Sequence, residues 1–104
     1  MATHSTTIDF LLEQIQSAGN VRARKMFGEY ALYCNDKVVA LVCDDQLFVK
    51  QSSISSHFSE FYHEAPPYPN AKMYLQVSSE KWDDADWLSN FIRQTAEALP
   101  ALKK

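Results

Sequence analysis

The sequence predicts an α+β fold of two layers, an antiparallel sheet meander with helices packed on one face. Three observations predict it. Apolar stripes at helical spacing stand near both ends of the chain. Between them lie short segments rich in β-branched and aromatic residues, joined by tight turns that imply antiparallel neighbours. A length of 104 residues, 46% of them hydrophobic, supplies one core and leaves no room for a second. The whole chain, 1–104, reads as a single domain with its core between residues 7 and 99.

The first helix is expected over residues 7–18, where Ile8, Leu11, Leu12 and Ile15 form one stripe. Thr6 or Thr7 would cap it, and Gly19 supplies a permissive residue after its end. Strands are expected over 21–27, 30–34, 38–43 and 47–50. Asn35-Asp36 and Asp44-Asp45 are turn pairs that tolerate left-handed backbone. Gly28 marks a bend or bulge between the first two strands. A short helix over 53–61 carries Ile54, His57, Phe58 and Phe61 on one face. Pro66, Pro67 and Pro69 then forbid a helix interior or a central strand. Residues 73–77 read as a further strand. The last helix starts near Asp83 or Asp84, aligns Leu88, Phe91, Ile92 and Leu99, and stops around Pro100.

Several function classes fail on residue types alone. The longest apolar run, Val38 to Cys43, is six residues, against the ~20 a membrane helix needs. The first residues have neither the basic nor the apolar region of a secretory signal, so a cytoplasmic location is expected. A disulfide between Cys34 and Cys43 is excluded by reach. In the hairpin turning at Asn35-Asp36 they lie about five strand residues apart, roughly 16 Å, and a bridge needs about 7 Å or less between Cα atoms. Both are expected as free thiols, Cys43 as an apolar filler and Cys34 exposed at a turn. Two glycines in the chain cannot build a phosphate-binding loop. No C-x-x-C or H-x-x-x-H pair offers metal ligands, and Asp83, Asp84 and Asp86 read as a charged helix start. No metal and no cofactor is expected. His57 reads as a hydrogen-bonded core histidine. His63 and Glu64 are neighbours in a loop, where nearest neighbours point apart, so no acid–base pair is read there.

Three surfaces remain as candidates. Tyr62, Tyr68, Tyr74 and Trp82 lie around the proline segment, and tyrosine and tryptophan favour contact surfaces. They point to a protein partner or a second copy of the chain. Arg22, Arg24 and Lys25 form the basic cluster. It supports weak DNA contact in a second reading, or a solvated edge strand that resists aggregation. The net charge of −3, with ten basic residues against thirteen acidic ones, argues against a dedicated nucleic-acid binder. A third reading places a small-molecule or enzymatic site among Tyr62, His63, Tyr68 and Tyr74.

The segment Arg22-Ala23-Arg24-Lys25-Met26-Phe27-Gly28-Glu29-Tyr30-Ala31-Leu32-Tyr33 resembles the signature of the TfoX N-terminal domain family, whose usual form reads M-F-G-G-Y-G-L-Y. Met26, Phe27, Gly28, Tyr30, Leu32 and Tyr33 match it, while Glu29 and Ala31 replace two glycines. Val39-Ala40-Leu41-Val42 followed by Asp45-Gln46-Leu47-Phe48-Val49-Lys50 is similar to a second family stretch, with Phe48 in place of a tyrosine. Pro67-Tyr68 and Met73-Tyr74-Leu75 resemble a third. The resemblance implies an α+β fold similar to secretion chaperones, in a short stand-alone member without the second domain of the longer ones. It implies kinship with regulators of transcription in bacterial natural competence, which act with the cyclic-AMP receptor protein. It carries no catalytic residues. The leading expectation is a non-enzymatic cytoplasmic interaction domain, regulatory in kind.

Overall fold

The structure, a computed structural model, describes residues 3–26 and 29–99. Phe27 and Gly28, with the bend expected there, lie outside the described residues, as does Pro100. Helix α1 spans Ser5–Ile15 and runs on into a 3₁₀ turn, Gln16–Ala18. Four strands follow: β1 Val21–Met26, β2 Glu29–Cys34, β3 Lys37–Cys43 and β4 Gln46–Val49. A 3₁₀ segment, Ser55–Phe61, leads into β5, Tyr62–Ala65. After the proline loop come β6, Tyr74–Val77, and helix α2, Ala85–Ala98.

All six strands form one antiparallel sheet in the order β1-β2-β3-β4-β6-β5. The expected meander holds for β1 to β4. The two hairpin turns are tight because Asn35, Asp36, Asp44 and Asp45 all take positive φ, between 54° and 68°. Strand β5 departs from the sequence reading, which left Tyr62 to Ala65 in a loop. It pairs outside β6, so β6 returns between β4 and β5. A bulge lies between β2 and β3. Leu32 pairs with Ala40 and Tyr33 with Val38, leaving Val39 as the extra residue.

The register sorts side chains by face. Ala23, Leu32, Ala40, Val49 and Leu75 make one row across the sheet. Tyr30, Val42, Leu47, Val77 and Tyr62 make the next. These rows join Ile8, Leu11 and Ile15 of α1 and Leu88, Phe91 and Ile92 of α2 in one apolar core. Both helices therefore lie on this face, as the sequence predicts.

The helix ends are held differently. Asp84 caps α2 by accepting the Trp87 N–H at 3.1 Å, as expected. At the far end the Lys37 ammonium donates to the Ala96 and Leu99 carbonyls at 2.7 and 2.8 Å, placing a cation on the negative helix end. The capping expected of Thr6 or Thr7 does not occur, because α1 starts earlier, after His4. The Thr7 hydroxyl donates instead to Asp45, which also takes the His4 N–H and contacts the His4 ring. These bonds hold the Asp45 carboxyl below the usual carboxylate range.

Contrary to expectation, His57 and Phe61 do not enter the core. The 53–61 segment forms a 3₁₀ helix kinked at Phe58, so His57 turns to solvent instead of into the core. Phe58 alone of that face is fully sequestered, stacked on Phe91 with ring centroids 4.7 Å apart.

Candidate functional site

Among the described residues no helix lies over the sheet's second face. Its central row runs Arg24, Ala31, Leu41, Phe48, Gln76 and His63. Ala31, Cys43 and Phe48 are nonetheless buried there. The loop between β5 and β6 crosses this face: Pro67 is buried, and Tyr68 lines one cavity with Leu41 and Cys43. Between that loop and the far end of the β1–β2 hairpin lies a cleft of ≈ 440 Å³. Met26, Glu29, Tyr30, Leu41, Cys43 and Tyr68 line it, and its walls are almost wholly apolar. Tyr68 and Met26 are large hydrophobics left 56% and 39% exposed at this cleft. Such exposure costs solvation free energy unless something covers it.

One acid sits at the cleft, and it is structurally engaged. A Glu29 carboxylate oxygen accepts the Thr3 hydroxyl at 2.6 Å and the Asp44 N–H at 3.1 Å. It thereby ties the start of the chain and the β3–β4 turn to the β2 hairpin. The departure from glycine at this position of the family signature thus has a structural use.

The expected aromatic surface is dispersed. Trp82 is 8% exposed, and its indole N–H donates to the Val77 carbonyl at 3.2 Å. Trp82 is a core residue, because the turn preceding α2 folds its ring inward beside β6. The Tyr62 hydroxyl donates to the Ser55 carbonyl at 2.9 Å and its ring stacks on Phe91. Tyr62 and His63 border one surface pocket with Glu60 and Glu80, and Tyr74 borders another with Lys50 and Lys72. Tyr62, His63, Tyr68 and Tyr74 therefore line three separate pockets, and the single site expected among them is not formed. Among the described residues no group of three His, Cys, Asp or Glu side chains is placed to hold a metal ion.

The signature residues divide by face. Leu32 is in the core, and Tyr33 lies under the Arg22 guanidinium at 4.3 Å from its ring centroid. Tyr30 belongs to the helix-facing row and packs on the core, so it borders the cleft from its own strand, while Met26 stands on the second face at the cleft. Leu41 and Cys43 were not singled out as site residues by sequence reasoning. Their period-2 alternation identifies a strand but not the loop that folds across it.

The basic cluster sits on an edge strand, as one of its sequence readings held. Arg22 and Arg24 face the sheet's second side, and Lys25 faces the other. Arg22 is also 3.4 Å from the Asp36 carboxylate.

Both cysteines are free and buried. Cys34, expected at an exposed turn, is fully buried and its thiol points at the Ala18 carbonyl, 3.7 Å away. It faces the helix side of β2, which α1 and its 3₁₀ extension cover. Burial raises its pKa, and the Glu97 charge adds to that against an opposing effect of Lys37. Burial likewise pushes Cys43 up to about 11, with a smaller push from Glu29. Neither thiol is expected to react with an aromatic disulfide reagent in the folded protein at neutral pH, and both should react on unfolding in urea. A fast equivalent in the native state would contradict this burial.

No helix among the described residues is long and apolar enough to cross a membrane. The TfoX N-terminal domain matches this chain over residues 13–99. A protein of Spirochaeta aurantia, described as an uncharacterized 12.7 kDa protein in the trpE 5′ region, is 38% identical over 103 residues, covering 99% of this chain and 89% of that protein.

Proposed function

The chain belongs to the TfoX N-terminal domain family, and from that premise we propose that it is a non-catalytic, regulatory interaction domain. Its partner is a protein, received on the second face of the sheet around the cleft beneath Tyr68. The observation that carries this reading is the cleft itself: apolar walls, exposed Met26 and Tyr68 at its mouth, and, among the described residues, no convergent acid–base set inside. An apolar pocket of that kind suits an anchoring side chain of a partner, the usual centre of an interface. The carboxylate nearby, Glu29, serves the fold through Thr3 and Asp44.

The test is affinity capture from the source cells with wild-type protein, Tyr68→Ala and Met26→Asp. A specific partner retained by wild type and lost by both variants is expected. Phe10→Ala, an exposed apolar change on α1, serves as the control and should keep the partner. Retention of every partner by both cleft variants would place the contact elsewhere.

A further inference from the structure

We infer that β1 takes an acidic, extended segment of the partner polypeptide as a seventh strand of the sheet. This rests on the interaction-domain reading and specifies the partner's chemistry.

Strand β1 ends the sheet on one side. The Asn35 N–H donates to the Asn20 carbonyl at 2.9 Å just before β1 begins. In an antiparallel ladder, inward and outward residues alternate from such a pair. The backbone groups of Arg22, Arg24 and Met26 therefore face β2, and those of Val21, Ala23 and Lys25 face away. Among the described residues β1 pairs with β2 alone, and no turn or loop backbone reaches these outward groups. The pairing of β1 with β2 runs through six residues with no shift in register, so the edge is regular. It has no proline to interrupt an added strand.

The charges select the partner. Every charged side chain of β1 is a cation, and Arg24 and Lys25 have no ion pair among the described residues. Arg24 projects on the second face and Lys25 on the helix face. An added strand presents its own side chains alternately to both faces with the same period, so acidic residues at neighbouring positions meet both cations. A nucleic-acid backbone lying along one face meets one of them and has no amide to complete the ladder. A second copy pairing through β1 would bring like charges together across the new edge, which is unfavourable. Met26, at the end of β1, lies at the mouth of the apolar cleft, so the same added segment can set an apolar side chain there. The opposite edge, β5, is shorter and carries Glu64 and no lysine or arginine.

The experiment uses the whole chain and a short fluorescein-labelled peptide of valine, threonine and glutamate. Its control is the same peptide with alternate backbone amides N-methylated, which keeps the charge and removes the ladder. At low salt the first peptide should bind, and amide exchange at Val21, Ala23 and Lys25 should slow by about tenfold or more at saturation. Arg24→Glu with Lys25→Glu should weaken binding by about tenfold or more, and the milder Arg24→Gln with Lys25→Gln should weaken it less. No binding, equal binding of the N-methylated peptide, or unchanged exchange at those three amides overturns the inference. So does tighter binding of a single-stranded oligonucleotide that displaces the peptide. Partner capture that depends on Tyr68 while the peptide fails would remove the added strand and leave the interaction reading standing.

Discussion

Alanine in place of Phe91 is expected to lower the free energy of unfolding by about 3–5 kcal/mol. Phe91 is fully buried in α2 and meets three other rings. Phe58 stacks on it at 4.7 Å, Tyr62 at 6.0 Å, and Trp87 leans against it at 5.4 Å between centroids. Those rings come from the 3₁₀ segment, from β5 and from α2 itself. The one side chain therefore joins the irregular middle of the chain to the last helix. Its removal leaves a cavity that the Tyr62 ring cannot follow into, since its hydroxyl is held by the Ser55 carbonyl. Domains of this size have about 5–15 kcal/mol in total, so the variant should sit near the edge of folding. The check is urea unfolding, with the midpoint lowered and the slope unchanged. Phe61→Ala, at a ring 37% exposed, should cost distinctly less. A Phe91→Ala loss no larger than the Phe61→Ala loss would contradict this packing.

The second large effect is expected at Gly19, where alanine should cost about 1–3 kcal/mol. Its φ of +151° with ψ of −152° is a conformation open to glycine and strained for any L side chain. A Cβ there would also stand 2.8 Å from the Asn35 side-chain oxygen. That oxygen accepts the Asn20 N–H at 3.0 Å, so Asn35 cannot yield without losing the bond. Asn35 in turn begins the left-handed turn between β2 and β3. The two sites should therefore couple. Gly19→Ala combined with Asn35→Ala is expected to cost less than the sum of the single changes, measured by the same urea unfolding. Strict additivity would show that the steric contact does not matter.

These two sites show what sequence reasoning reaches. The place of Gly19 after the first helix, the Asn35-Asp36 turn and the α2 stripe through Leu88, Phe91 and Ile92 are local patterns with local causes. Strands β1 to β4 were legible for the same reason, because turn chemistry and alternation occur within a few residues. The Asp84 cap was legible from a carboxylate standing before an apolar periodic run. Strand β5 was not legible: Tyr62 to Ala65 is short and runs into prolines, and its identity comes from the partner β6. Trp82 was misplaced because an aromatic in a loop reads alike whether its ring turns in or out. Cys34 was misplaced because the turn beside it is exposed while its own side chain faces α1. The cleft lay beyond the sequence as well. It needs Tyr68 brought over Leu41 and Cys43, and only the folded loop does that. The family signature marked the hairpin that forms its other wall, through Met26 and Tyr30.

The most direct test of the docking surface is residue-level amide exchange on the chain bound to its captured partner. The account predicts slowed exchange along β1, in β3 around Leu41 and in the loop at Tyr68, with the outer sides of α1 and α2 unchanged. Slowing confined to the two helices, with β1 and the Tyr68 loop exchanging as in the free protein, would contradict it.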